Sequence, residues 1–191
     1  MITVTGIARR EIQPDGVSWR ADAVEVDSEA RAAFERCTGR LNQLTERLRA
    51  VGDVTTEAVS VRPERDEDTA SRTGRVEAIG GVRVRADPGR AGELAQAAMD
   101  AGADRLDGPH FIYGAAEAVR EELLSEAIAD ARRKAEVLAE AAGRRIARVD
   151  AVEEEERYHG IVELASSGDP DVRAREVTIR ATVKVVFALE D

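Results

Sequence analysis

The stretch from Ala115 to Gly143, AAEAVREELLSEAIADARRKAEVLAEAAG, decides the fold class of this 191-residue chain. It is rich in alanine, leucine and glutamate, which favour helices, and a glycine at the end of such a stretch is typical of a helix C-terminus. We therefore expect one long helix. Residues spaced three or four apart predict its apolar seam, which comprises Leu124, Ile128, Ala131, Ala135, Leu138 and Ala142.

The length of this helix suggests a role beyond its own domain. A helix of about 28 residues is about 42 Å long, whereas a domain of this size is about 30–35 Å across. We expect part of the helix to overhang the sheet and meet another subunit, because the small residues of the seam would let a partner approach closely. Asp130 and Lys134 have the spacing of an intrahelical ion pair, which contributes about 0.3–0.5 kcal/mol.

Strands are predicted on both sides of this helix, where apolar residues alternate with polar ones. They cover residues 2–13, 17–26 with a bulge near Ala23, 54–63, 76–86, 105–113, 146–157 and 177–189. A stripe from Ala30 to Val51, ended by Gly52, predicts a second helix, and residues 89–101 predict a short third one. The order β-β-α-β-β-α-β-α-β-β favours an α+β fold with a mostly antiparallel sheet and helices packed on one face.

The length and composition limit the classes of protein that fit. Residues 1–191 suit one domain, with two lobes, about 1–87 and 88–191, as the alternative. The net charge of −10 argues against binding nucleic acid through its phosphates. No apolar run approaches the about 20 residues that a membrane helix needs. Because the chain shows no signal-peptide pattern, we expect a cytoplasmic protein, or a periplasmic or secreted one if a leader has been removed.

Residues that could carry catalysis or bind a metal are few. Cys37 is the single cysteine, and its place on the apolar stripe predicts a core residue. His110 and His159 are the two histidines and have no metal-ligand spacing. The acidic runs 66–68 and 153–156 are interpreted as solvated charge. We predict no catalytic, cofactor-binding or metal-binding residues; the alternative is an enzyme whose site places a histidine beside a distant carboxylate.

A basic sheet face is the remaining candidate for ligand binding. Arg75, Arg83 and Arg85 share one face of their predicted strand, and Arg180 and Lys184 share one face of the last strand. If the two strands were neighbours, Arg83, Arg85, Arg180 and Lys184 would form a patch for a small anion or metabolite. The alternative interpretation is a polar face on which these cations pair with carboxylates such as Glu77.

Four segments together resemble the SIMPL domain family. They are ITVTGIARREIQPDGVSW (2–19), RVEAIGGVRVRADPGRAGELAQAAMDAGADRLDGPHF (75–111), AIADARRKAEVLAEAAGRRIARVDAVEE (127–154) and VTIRATVKVVFAL (177–189). The third is the family's most recognisable stretch, with Asp130, Ala131, Lys134, Ala135, Leu138, Ala139 and Gly143 at its characteristic steps.

The resemblance implies a bacterial or archaeal protein without agreed catalytic residues. Members are commonly envelope-associated, some are linked to stress, and one forms a large hollow homo-oligomer. Together with the missing catalytic set, this leads to the expectation of a non-enzymatic protein that self-associates as a scaffold or interaction protein, without cofactors. A small-anion binder is the alternative.

Overall fold

The computed structural model describes residues 1–66, 69–155 and 176–190, which contain three α-helices and eight strands. In chain order these are β1 (Ile2–Ile12), β2 (Gly16–Asp27), α1 (Ala30–Leu48), β3 (Asp53–Thr56), β4 (Ser60–Arg65), β5 (Arg72–Ala86), α2 (Ala91–Asp100), β6 (Arg105–Ile112), α3 (Ala116–Ala141), β7 (Arg145–Glu154) and β8 (Val177–Glu190). The predicted order is confirmed, except that the strand expected over 54–63 is divided into β3 and β4.

The strands form two antiparallel sheets. One has three strands in the order β1-β8-β7, and the other has five, in the order β3-β5-β2-β6 with β4 also paired to β5. The predicted α+β class is therefore confirmed. β1 and β2 follow each other in the chain but belong to different sheets, because residues 13–15 between them do not close a hairpin.

The chain divides into two compact units, each with its own core. The α3 unit comprises residues 1–13, 113–155 and 176–190, so it contains β1, α3, β7 and β8. The α1–α2 unit comprises residues 14–66 and 69–112. The division is not a single cut in the sequence, since the first strand belongs with the last part of the chain.

Helix α1 packs on the five-stranded sheet through most of its predicted stripe. Cys37, Leu41, Leu44 and Leu48 are buried as expected. At the N-terminal end the buried residue is Ala33, whereas Phe34 is 45% exposed. Ala33 continues the four-residue row of Cys37 and Leu41, so the predicted stripe was wrong there because it followed the larger side chain.

Two predictions in the α1–α2 unit, a bulge and a helix-ending glycine, need correction. The β2–β5 register is continuous past Ala23, and the irregularity lies between Ser18 and Arg20 opposite β6. Gly52 does not adopt the left-handed conformation of a C-terminal glycine; an added Cβ there would overlap the Arg85 carbonyl oxygen.

The buried seam of α3 also differs from the predicted one. It follows a single row with four-residue spacing, which comprises Leu123, Ala127, Ala131, Ala135 and Ala139. The prediction is right for Ala131 and Ala135, but Ile128, Leu138 and Ala142 are exposed. Small side chains let a helix lie close to a sheet, so packing favours the alanine row over the larger residues beside it.

The alanines of this row are not available for the predicted subunit contact. They are at most 1% exposed because the unit's own sheet covers them, so no other subunit can pack there. Contrary to the expectation from the sequence, the length of α3 does not require it to overhang the sheet. β8 has 14 residues and spans about 48 Å, whereas the 26 residues of α3 span about 39 Å.

Candidate functional site

β1 and α3 approach each other closely at Gly6. A Cβ added to Gly6 would overlap the carbonyl oxygen of Ala127 and would lie 2.9 Å from the Cβ of Ala131. Only glycine therefore fits at this position of the strand. The close approach also sets the distance at which longer side chains of α3 can reach the backbone of β1.

Two charged side chains of α3 bind that backbone. The Ile7 amide donates a hydrogen bond to Asp130 Oδ2 at 3.0 Å, and Lys134 Nζ donates to the Thr5 carbonyl oxygen at 3.0 Å. Asp130 and Lys134 also pair with each other at 2.6 Å, which confirms the predicted ion pair. The Lys134 hydrogen bond, followed by that of the Ile7 amide, lowers the pKa of Asp130. We call this arrangement the β1 clamp.

The clamp limits the ability of the β1 edge to pair with another strand. β1 is an edge strand, and the outward-pointing backbone groups of an edge strand are a template for pairing with another chain. Asp130 and Lys134 occupy two of those groups. The long helix therefore covers part of one edge of the three-stranded sheet.

The opposite edge, β7, carries exposed apolar side chains. Val149 and Val152 pair in register with Phe187 and Val185 of the core, so they lie on the helix-facing side of the sheet. They are nevertheless 45% and 50% exposed. The core alanine row of α3 runs over the other two strands and leaves these two valines only partly covered.

The flank of α3 next to β7 extends this apolar surface. Arg120 of α3 pairs with Glu154 of β7, which identifies the flank that faces the strand. Leu124 and Ile128 follow Arg120 at four-residue intervals and therefore lie on the same flank. Ile128 is 39% exposed. We call Ile128, Val149 and Val152 the β7 strip.

The predicted basic face is not assembled. Arg83 and Arg85 lie on β5 of the five-stranded sheet, whereas Arg180 and Lys184 lie on β8 of the three-stranded sheet. The premise that these strands are neighbours is wrong. Arg83 pairs with Glu57 at 2.9 Å and Arg85 lies 3.7 Å from Asp15.

The ion-paired alternative describes the arginines of β5 better, since Arg75 also pairs with Glu64 at 2.8 Å. Glu77 pairs with Arg62 of β4. The neighbour of β8 is β1, which places Arg9 directly opposite Arg180 in the register. Sequence patterns give the face of each strand but not which strands pair, so Arg9 was missed.

A cleft of about 460 Å³ lies within the α1–α2 unit. Its lining is strongly charged and comprises Asp15, Arg49, Ala50, Val51, Gly52, Asp53, Arg85, Ala86, Asp87 and Arg90. Each of its arginines has a carboxylate partner within the chain: Arg49 pairs with Glu46, Arg85 with Asp15 and Arg90 with Glu93. Cations already paired in this way offer little to a ligand.

The predicted position of Cys37 is confirmed, because the side chain is fully buried and Sγ lies 3.5 Å from the Ala23 carbonyl oxygen. Burial raises the pKa of the thiol. His110 lies 3.2 Å from Asp107 Oδ2, so one histidine does sit beside a carboxylate. Both side chains are exposed, at 46% and 71%, and neither lines the charged cleft.

Several predicted features lie outside the described residues. They are His159 and the acidic residues Glu67, Asp68 and Glu156. Among residues 1–66, 69–155 and 176–190, no three histidine, cysteine or acidic side chains come together as metal ligands. No helix in that part of the chain has the length and apolarity needed to cross a membrane.

The family of the chain follows from its sequence over almost its full length. No curated protein matches it. Residues 2–187 match the SIMPL family, which is described as a protein of unknown function (DUF541). The match spans both units and includes Gly6, Asp130 and Lys134, the residues of the β1 clamp. The chain therefore belongs to the SIMPL (DUF541) family.

Proposed function

We propose that this SIMPL-domain protein is not an enzyme and that it works by self-association, as a scaffold or interaction protein. The observation that carries the proposal is the β7 strip, where apolar side chains remain exposed beside an edge strand while the other edge of the same sheet is clamped. The occupant that we assign to the strip is the same strip of a second copy.

The charge order of β7 supports a two-fold contact. The strand reads RIARVDAVEE from Arg145 to Glu154, basic at its start and acidic at its end. If two copies run antiparallel about Val149, Arg145 lies opposite Glu153 of the second copy, and Ile146 lies opposite Val152. Arg145 and Glu153 are opposite Glu190 and Lys184 in the β7–β8 register, so they lie on the face away from the strip. Their opposite charges favour the antiparallel orientation of the two copies without being part of the strip contact.

The contact is assigned to side chains and not to a continued β-ladder. The β7–β8 register shifts between Ile146 and Arg148 and again between Val149 and Ala151. Such irregularities disturb the outer edge of a strand, which discourages ladder formation. They also keep Ile146, Val149 and Val152 on one face, since all three pair with core residues of β8 or their neighbour Leu189.

The non-enzymatic part of the proposal is supported by the state of the candidate catalytic groups. The Cys37 thiol is buried, and the arginines of the charged cleft are paired with carboxylates. The His110–Asp107 pair is exposed to water on both sides, which is unlike the shielded setting that tunes an acid–base pair.

Sedimentation equilibrium of the full chain at tens of micromolar tests self-association. Each strip valine is about half exposed, so its complete burial contributes about 1 kcal/mol per copy. A two-fold contact counts that contribution twice, so Val149→Asp should weaken the dimer by at least about 30-fold. Val137→Asp is the matched control, because Val137 is 63% exposed and lies two residues from the buried row, on the far side of α3.

A wild-type chain that stays monomeric at these concentrations would refute the self-association. Dissociation by Val137→Asp together with an unaffected Val149→Asp variant would place the contact elsewhere and refute the role of the strip. The cellular side of the proposal, a role in stress, is tested by comparing a deletion strain with its parent under oxidative and envelope stress.

A further inference from the structure

Two arginines of the three-stranded sheet face each other at the closest cross-strand distance. Arg9 of β1 is directly opposite Arg180 of β8. The Ile7 amide and the Thr5 carbonyl point away from β8, because α3 binds them. Arg9 follows by an even number of residues and so belongs to the same set of non-hydrogen-bonded pairs, whose Cα atoms are about 4.5 Å apart.

These two cations lack a counter-ion in the described part of the chain. Arg9 and Arg180 are exposed, and neither has a hydrogen bond or an ion pair there. Lys184 lies on the same face of β8 and is likewise unpaired in that part of the chain. Glu11 and Glu153 also lie on this face, and Glu153 is directly opposite Lys184 in the β7–β8 register. In the described residues no ion pair joins either glutamate to the three cations. Like charges directly opposite in a sheet are destabilising.

The five-stranded sheet contains a second cross-strand pair of arginines, and that pair binds a carboxylate of the chain. Arg20 of β2 is opposite Arg83 of β5, in the same cross-strand relation as Arg9 and Arg180. A carboxylate bridges that pair: Glu57 Oε2 lies 3.3 Å from Arg20 Nε, and Glu57 Oε1 lies 2.9 Å from Arg83 Nη2. One oxyanion therefore binds both guanidinium groups, one oxygen to each.

We propose that Arg9 and Arg180, assisted by Lys184, form a binding site for a phosphoryl group. The site uses the geometry of the Arg20–Glu57–Arg83 bridge, with an external oxyanion in the place of the Glu57 carboxylate. A tetrahedral dianion suits it better than a carboxylate because two unpaired guanidinium groups flank the position and Lys184 adds positive charge farther along the same face. Guanidinium groups bind phosphate oxygens through two parallel hydrogen bonds, which also orients the ligand.

The size of the site limits the ligand. Arg180 and Lys184 are separated by four residues along β8, or about 13 Å. A single phosphoryl group therefore binds the arginine pair. Lys184 is too far away to bind the same group, so it contacts a second charged group of the ligand or adds to the positive potential of the site. Because the chain as a whole carries a net charge of −10, a long polyanion would be repelled beyond this patch. We therefore assign the site to a compact ligand.

Titration of the full chain with inorganic phosphate, followed by amide and guanidinium NMR signals, tests the site. Chloride keeps the ionic strength constant, and acetate is titrated in parallel as a monoanion. We expect saturable shifts at Arg9 and Arg180 with a dissociation constant below about 10 mM, and weaker binding of acetate. Arg9→Gln and Arg180→Gln should each weaken binding by about 10- to 100-fold.

Arg31→Gln is the matched control, because it removes the same charge from a side chain that is 88% exposed on α1. It should leave phosphate binding unchanged. Arg9→Lys keeps the charge but not the planar fork, and it should weaken binding less than Arg9→Gln. The absence of saturable shifts, equal binding of acetate, or an equal loss in Arg31→Gln would each overturn the proposal. The outcome is independent of self-association, which is measured on the other edge of the sheet.

Discussion

Replacing Gly6 with alanine would test the close packing on which the β1 clamp depends. The added Cβ would overlap the carbonyl oxygen of Ala127, which is backbone and cannot rotate away, and would lie 2.9 Å from the Cβ of Ala131. Either β1 or α3 must move outward. That movement would lengthen the hydrogen bonds from the Ile7 amide to Asp130 and from Lys134 to Thr5.

The expected cost has two parts. Overpacking of this kind costs about 1–3 kcal/mol, and the upper end applies because the overlapping atom belongs to a helix. Weakening the two hydrogen bonds, which are partly exposed, adds about 1 kcal/mol. We therefore expect a loss of about 3 kcal/mol in the free energy of unfolding, or about 6–12 °C in melting temperature for a chain of this length.

Hydrogen exchange at the Ile7 amide gives a local readout beside thermal unfolding, since the two units need not unfold together. Exchange at Ile7 should become faster, and the pKa of Asp130 should rise towards its ordinary value. Gly39→Ala is the control, because Gly39 lies in α1 with nothing within 4 Å of an added Cβ. It should stabilise the chain by about 0.5–1 kcal/mol.

A Gly6→Ala variant whose unfolding free energy changes by less than about 1 kcal/mol, with unchanged exchange at Ile7, would refute this reasoning. Such a result would mean that β1 and α3 are farther apart at Gly6 than the structure shows. The clamp could no longer be attributed to the close approach of the two elements.

Two further predictions concern titratable groups. Cys37 is fully buried, and burial raises the pKa of its thiol. The thiol should therefore stay unreactive towards a disulfide reagent in the native protein and react in urea. Fast labelling of the native protein would contradict this prediction. Asp27 and Glu64 have pKa values lowered to about 2, Asp27 chiefly by the Glu29 amide and Glu64 by Arg75. Their contribution to stability is present above their ordinary values of 3.8 and 4.5 and is lost as the pH falls towards 2. Chemical unfolding between pH 6 and pH 2.5 should therefore show a smaller decrease for Glu64→Gln than for the wild type, and equal slopes would contradict the assignment.

The strands and helices could be predicted because each leaves a local pattern. The alternation in β8 and the row from Cys37 to Leu48 in α1 follow directly from the periods of a strand and a helix. The seam of α3 could not be predicted from the same rule. Helix amphipathicity favours large apolar residues, whereas the packing distance set by Gly6 selects alanines and leaves Ile128 and Leu138 outside.

The candidate surfaces were harder to predict because they depend on which strands pair. The sequence places Arg180 and Lys184 on one face, but only the β1–β8 register adds Arg9 and removes Arg83 and Arg85. In a regularly alternating strand Val149 and Val152, three residues apart, would lie on opposite faces, and only the register shifts of β7 bring them to the same face. Their exposure follows from the position of α3 over the other two strands, which no local pattern contains.

In our proposal, the long helix has a different role at each edge of the three-stranded sheet. An unprotected edge pairs with any available strand, so a chain that associates specifically must close the edges it does not use. Asp130 and Lys134 occupy two outward backbone groups of the β1 edge, the Ile7 amide and the Thr5 carbonyl. On the opposite flank, the same helix presents Ile128 beside Val149 and Val152. In our proposal, one helix thus prevents association at one edge and contributes to it at the other, which a helix chosen only for its core packing would not do.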